Sequence, residues 1–187
     1  MQKEVERAVE LLKEGKTFLY PTDTVWGIGC DATNVEAVKK VYALKQRQDN
    51  KALIVLIASI DQLWDYVAQI PEIAWDIVEF SEKPVTVIYP KGKNLAANLL
   101  GEDGSIGIRL VKDEFCKKVI QKLRKPLVST SANISGEPSP AIFSEVSEAI
   151  KNGVDYIVDW RREDKTKNAP STIMKLELDG AIKFLRK

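Results

Sequence analysis

The chain contains no histidine. That absence removes imidazole general bases, Ser-His-Asp triads, Cys-His pairs and zinc sites with histidine ligands. Cysteine is scarce too: Cys30 and Cys116 stand too far apart for a metal knuckle or a redox CxxC. One disulfide or two reduced thiols both satisfy the count, and two thiols suit a cytosolic chain. The longest apolar run, residues 52–58, is far short of the ~20 residues a membrane span needs. The opening segment MQKEVERAVELLKEG carries acidic residues and no apolar h-region, so it does not read as a signal peptide. A cytoplasmic protein with no membrane partner is expected. Neither sign of charge dominates: 28 Lys and Arg against 27 Asp and Glu leave a net charge of +1. That balance excludes a polycationic nucleic-acid coat but leaves room for a local basic patch. There is no GxxxxGK[ST] P-loop, and the G-x-G at 27–29 lacks the third glycine of a dinucleotide fingerprint.

What remains is an ordinary globular composition, with 44% hydrophobic and 29% charged residues over 187 positions. It supports one domain over residues 1–187, with no internal repeat and no composition break. Val5, Ala8, Val9 and Leu12 share one face of a helix, with Gly15 as its C-terminal cap. Residues 17–20 read as a strand stopped by Pro21, and 21–32 as a loop of small residues. Asn34 is placed to cap a helix with Val35, Val38, Val41 and Tyr42 on its inner face. The run 52–58 reads as a central strand buried on both faces. Helices are expected around 61–67, 71–80, 113–124 and 143–151. Strands are expected over 84–89, 105–109, 126–129, 156–158, 171–176 and 182–185. Alternating strands and helices indicate an α/β fold with a twisted, open, mixed sheet. Residues 160–168 are charged, lack apolar periodicity and read as an exposed loop.

Four polar clusters fall at strand ends or in loops, where open α/β sheets place ligands. The first, PTDTVWGIGCDA at 21–32, has glycines that admit close backbone approach and hydroxyls that can bind a polar ligand. It also fits a structural turn, with Asp23 in turn or cap hydrogen bonds. The second, LKQRQDNK at 44–51, carries Lys45, Arg47 and Lys51. These charges either complement a helix C-terminus or clamp a polyphosphate. The third, STSANISGEPSP at 129–140, is either a turn or an anion cradle of hydroxyls and N–H groups. The fourth is NAPSTI at 168–173. Arg109 and Arg186 lie near strand ends. No paired carboxylates are placed for acid–base work, so positioning and stabilisation of negative charge are the expected strategy.

Together the clusters resemble one family, YrdC/TsaC, the L-threonylcarbamoyladenylate synthases. The matching segments are YPTDTVWGIGCDA, AVKKVYALKQRQDNKALIVLIA, GSIGIRL, KPLVSTSANISGEPSP and PSTI, in the family's order. The resemblance implies a twisted open sheet with a concave basic cavity. It also implies a reaction in which ATP, L-threonine and bicarbonate give L-threonylcarbamoyl-AMP and pyrophosphate. The product feeds threonylcarbamoylation of adenosine 37 in tRNA through a separate transferase complex. Carried over by position, Thr22, Thr24, Arg109, Ser129 and Ser171 bind threonine. Lys45, Arg47, Lys51, Ser131, Asn133 and Arg186 meet ATP, with Lys45 and Arg47 as the catalytic pair. Mg²⁺ is expected to arrive with ATP, with no protein metal site and no organic cofactor. Leu56 stands where longer members carry histidine. Gln48, Leu110, Val111 and Ala141 depart from common family residues.

The rival reading is a non-catalytic tRNA or double-stranded RNA-binding protein of the same fold, with tRNA as its partner. A carbamoyl-transfer module of the hydrogenase-maturation type shares the fold. Its zinc-finger segments need more cysteine than this chain has.

Overall fold

The computed structural model describes residues 1–46 and 53–187. Helix α1 (Gln2–Lys13) buries Val5, Ala8, Val9 and Leu12 as the 3.6-residue period requires. It stops where Gly15 turns to φ +71°, a conformation glycine adopts without a Cβ penalty. Strand β1 (Phe18–Tyr20) follows. The loop expected over 21–32 holds a short strand of its own, β2 (Gly27–Gly29). Asn34 caps α2 (Val35–Leu44) by accepting a bond from the Ala37 N–H at 3.0 Å. Val38, Val41 and Tyr42 are buried as expected, but Val35 is 38% exposed. It sits in the first turn, where the helix has not yet reached the core.

The expected central strand is β3 (Ile54–Ile57). Beyond it run α3 (Leu63–Tyr66), α4 (Ile73–Phe80), β4 (Val85–Tyr89), β5 (Ile106–Leu110), α5 (Glu114–Leu123) and β6 (Leu127–Ser131). The helix expected over 143–151 is broken. A 3-10 turn, Phe143–Glu145, is separated from α6 (Glu148–Gly153) by an extended Val146. Strands β7 (Tyr156–Ile157), β8 (Thr172–Leu176) and β9 (Ile182–Arg186) complete the fold.

Among the described residues these strands form one mixed sheet in the order β7-β1-β2-β6-β3-β5-β4-β8-β9. Strand β6 joins its halves, pairing antiparallel with β2 through Ser131 and Thr130 and with β3 through residues 127–129. The side-chain period of two then divides the core. Leu19, Ile28, Val55, Ile108 and Val128 face the cluster that includes Val38, Val41 and Val78 from α2 and α4. Phe18, Tyr20, Leu56 and Leu127 face α1 and α5. Leu56 is fully buried there, a packing position and not a site position. The α1–α5 pair covers that face over one half of the sheet. On the same face, the paired residues Ile54 and Ser129 line a cavity.

Cys30 and Cys116 are both free and fully buried, so the two-thiol reading holds. Burial, with lesser contributions from Asp31 at Cys30 and from Asp113 and Asp23 at Cys116, pushes both thiols above their ordinary range. Since the thiolate is the reactive form, neither cysteine is expected to react with an aromatic disulfide reagent at pH 8 in native protein. Both should react once the chain is unfolded in guanidinium. A fast native phase in the absorbance trace would contradict this packing. No helix among the described residues is long and apolar enough to cross a membrane.

Candidate active site

Strand register builds the site. Leu56 on β3 pairs with Arg109 on β5. One step beyond the Val87–Ile108 pair, Thr86 on β4 lies opposite Arg109. Thr86 pairs with Ile173 on β8, and Ile173 with Arg186 on β9. Residues directly opposite one another share a sheet face. Arg109 and Arg186 therefore stand on one face in one row, three strand spacings or roughly 14 Å apart at the backbone. Between and beside them opens a cavity of about 170 Å³. Its lining includes Thr24, Arg109, Ser129, Ser131, Ser171 and Arg186.

Arg109 is 2% exposed. Its Nη2 lies 3.3 Å from Asp23 Oδ1, and its Nη1 donates to Thr24 Oγ1 at 2.8 Å. Asp23 Oδ2 accepts from the Lys112 N–H at 2.9 Å, which fixes the carboxylate between the 21–24 loop and the end of β5. The protons in this cluster have one consistent order. The Val25 carbonyl can only accept, so Thr22 Oγ1 donates to it at 2.8 Å. A hydroxyl has one proton, so Thr24 must donate in the 2.9 Å contact between the two threonines. Arg109 donates to Thr24 in turn, leaving Thr24 Oγ1 one lone pair with which to accept from a ligand. Thr22 does not line the main cavity. It orients Thr24 and borders a smaller hollow beside Arg161.

Across the cavity, Arg186 Nε and Nη2 donate to the Ser171 carbonyl at 3.0 and 2.8 Å. The Ser171 hydroxyl shares a 2.8 Å bond with Thr86 Oγ1. Burial, and next the charge of Arg109, hold Arg186 below the usual guanidinium range. Two guanidinium groups thus face a site near which Asp23 is the paired carboxylate, and such an excess of positive charge calls for an anion.

The remaining sequence-derived candidates divide. Ser129 and Ser131 line the cavity from the end of β6. Lys45 does not: it is 2% exposed, and its Nζ donates to the carbonyls of Ser131 at 2.6 Å and Asn133 at 2.7 Å. Asn133 is buried beside it, donating through Nδ2 to the Ile134 and Glu137 carbonyls. Arg47 and Lys51 lie outside the described residues. In the sequence Asp23 reads as a turn residue and Thr86 does not stand out. Neither carries a local signal, because each role arises from a partner on another strand. The loop at 160–168 is tied down by Arg161, which pairs with Asp113 at 2.7 Å and Asp164 at 3.2 Å. No group of three or more potential metal-ligating side chains occurs among the described residues.

A family model named Sua5/YciO/YrdC, described as "Telomere recombination", matches residues 10–187. The chain belongs to this family. It is 35% identical over 175 residues to a threonylcarbamoyl-AMP synthase of Pseudoalteromonas translucida, covering 92% of each chain. It also resembles the solved structure of P. abyssi Sua5 complexed with L-threonine, at 30% identity and a TM-score of 0.82. That likeness covers 92% of this chain and 50% of the other, so this chain spans half the length of that protein. E. coli YciO superposes with a TM-score of 0.84 at 22% identity, over 100% of this chain and 90% of that one, which is a likeness of fold. The expected single α/β sheet of the YrdC type is therefore the fold observed.

Proposed function

We propose that this chain is a threonylcarbamoyl-AMP synthase, a nucleotidyltransferase that converts ATP, L-threonine and bicarbonate to L-threonylcarbamoyl-AMP and pyrophosphate. The observation that carries the reading is the cavity between Arg109 and Arg186, rimmed by the hydroxyls of Thr24, Ser129, Ser131 and Ser171. It offers positive charge for a carboxylate or phosphate, and hydroxyls for a small polar amino acid. The relatives' names and the threonine-bound family structure support the same assignment.

In the proposed reaction the threonine amine takes up bicarbonate with loss of water, giving N-carboxythreonine. A carbamate oxygen attacks the α-phosphorus of ATP, and the bond to pyrophosphate breaks. Arg109 anchors the anionic end of threonine, with Thr24 accepting a hydrogen bond from the substrate. Arg186 faces the nucleotide. Ser129 and Ser131 form the wall that aligns the two reactants, while Arg47, Lys51 and Asn133 remain candidates for ATP contacts. Holding both reactants in line removes several kcal/mol of barrier without a side-chain base. Mg²⁺ enters with ATP as part of the substrate, neutralising phosphate charge. The product serves threonylcarbamoylation of tRNA in the cytoplasm by a separate transferase complex.

The test is pyrophosphate release from Mg-ATP and bicarbonate, with L-threonine, with L-serine and with neither. Release that needs both threonine and bicarbonate is expected. Folded protein that released none, yet bound tRNA, would move the assignment to the RNA-binding reading.

A further inference from the structure

We infer that Thr86 is a positioning residue: its hydroxyl donates to Ser171 and so commits the Ser171 hydroxyl to donate into the cavity, toward an anionic oxygen of the ligand. The inference rests on the synthase reading and adds to it a residue that touches no substrate. Thr86 stands between Val85 and Val87 on β4, is fully buried and has no place in the cavity lining. Valine is branched in the same way, so packing alone does not call for a hydroxyl here. A buried hydroxyl is costly unless it is hydrogen-bonded.

The order of the protons follows from the partners. The 2.8 Å contact with Ser171 Oγ is the only hydrogen bond of the Thr86 side chain among the described residues. If Ser171 donated in it, the Thr86 proton would be buried without an acceptor, which is the costly arrangement. Thr86 therefore donates. Arg186 Nη2 reaches the same serine oxygen at 3.4 Å, and a guanidinium can only donate. Both lone pairs of Ser171 Oγ are then engaged, and its proton has no acceptor among the described residues. Ser171 lines the cavity, so the acceptor must come from the ligand. The neighbouring charge agrees: an O–H beside Arg186 suits an anionic oxygen, whereas a lone pair turned to the cavity would repel one. Thr24, at the Arg109 end, has the opposite polarity, with a lone pair left to accept. The two hydroxyls together fix which way round a ligand with a donor at one end and an anionic oxygen at the other can lie.

A mutant cycle separates this role from a merely structural one. Threonine-dependent pyrophosphate release is measured for wild-type protein, Thr86→Val, Ser171→Ala and the double variant, each shown to be folded by circular dichroism. Loss of one oriented hydrogen bond predicts a kcat/KM about tenfold lower in Thr86→Val. Ser171→Ala should lose at least as much. The double variant should match Ser171→Ala within about twofold, because Thr86 has nothing left to orient. Thr86→Ser keeps the hydroxyl and should recover most of the loss. Losses that multiply in the double variant, or wild-type turnover in Thr86→Val, would overturn the inference. Should Thr86→Val misfold, Thr86→Ser and Thr86→Ala form the second comparison, since both lack the methyl group and differ in the hydroxyl alone. Equal turnover of that pair would overturn the inference as well.

Neutron diffraction from wild-type crystals in heavy water reads the proton order without turnover. A deuteron is expected on Thr86 Oγ1, on the line to Ser171 Oγ. A deuteron on Ser171 Oγ pointing at Thr86 would refute the positioning role. Wild-type protein that gave the expected map but released no pyrophosphate with threonine would uphold the proton order and strike at the synthase reading instead.

Discussion

Arg109→Leu is expected to lower threonine-dependent turnover by about 10²–10³-fold, the effect of removing one preorganised charged donor from a site that stabilises negative charge. Its Michaelis constant for threonine should rise as well, because Thr24 loses the donor that sets its orientation. Stability should fall with activity. The substitution leaves Asp23 Oδ1, buried and 3.3 Å from the departed guanidinium, without its countercharge. Breaking a buried pair from one side costs about 3–5 kcal/mol, which in a domain of this size lowers the melting temperature by roughly 6–20 °C. The double variant Asp23→Asn/Arg109→Leu separates the two effects. An asparagine oxygen can still accept from the Lys112 N–H, so much of the lost melting temperature should return while activity does not. If Arg109→Leu kept the wild-type Michaelis constant for threonine, the placement of threonine at this end of the cavity would be wrong.

The second large effect is expected at a residue that touches no ligand. Gly29 lies beneath the stacked rings of Phe18 and Tyr20, whose centroids are 4.4 Å apart. A Cβ there would meet the Val128 carbonyl at 2.6 Å, Tyr20 Cε1 at 2.7 Å and Phe18 Cε1 at 2.9 Å. The carbonyl belongs to the adjoining strand and the rings are fully buried, so neither has room to retreat. Gly29→Ala should cost at least the ~1–3 kcal/mol of ordinary overpacking, and more where backbone must shift. Little soluble protein, or a melting temperature lower by 10 °C or more by circular dichroism, is expected. Gly27→Ala, two residues earlier on the same strand, is the control. Its nearest contacts, Ser129 Oγ and the Thr130 carbonyl, lie at 3.4 Å. That variant should fold normally but show reduced turnover, because Gly27 lines the cavity and the new methyl takes up part of its space. Comparable melting curves for the two variants would mean that β2 is not held as tightly as these contacts require.

The contrast between those glycines shows where sequence reading stops. Strand β2 is Gly-Ile-Gly, a composition poor in β-formers, so the segment reads as a loop. It becomes a strand because β1 and β6 pair with it from both sides through the backbone. The other strands were legible from their apolar runs and bounding turn residues. So were the inner faces of α1 and α5, whose buried residues recur at the helical period. Val35 was misplaced because periodicity names a face without saying where along the helix the core begins. The break at Val146 was missed for the same reason: buried Val146 and Ile150 continue an apolar pattern that the backbone between them does not follow as helix.

The site divides in the same way. The ordered motifs named the polar segments, and through them the family and the residues Thr24, Arg109, Ser129, Ser131 and Ser171; Arg186, beyond the last motif and marked only by its place near a strand end, joins them in the cavity. Tertiary structure alone assigned the partners. Arg109 meets Thr24 across 85 residues of chain, Thr86 meets Ser171 across 85, and Lys45 meets Asn133 across 88. Patterns of side chains along a chain encode local periodicity, and periodicity reveals which face of an element is buried. It does not encode strand register. Register sets which side chains stand opposite one another, and so which arginine acquires a carboxylate and which lysine is enclosed by carbonyls.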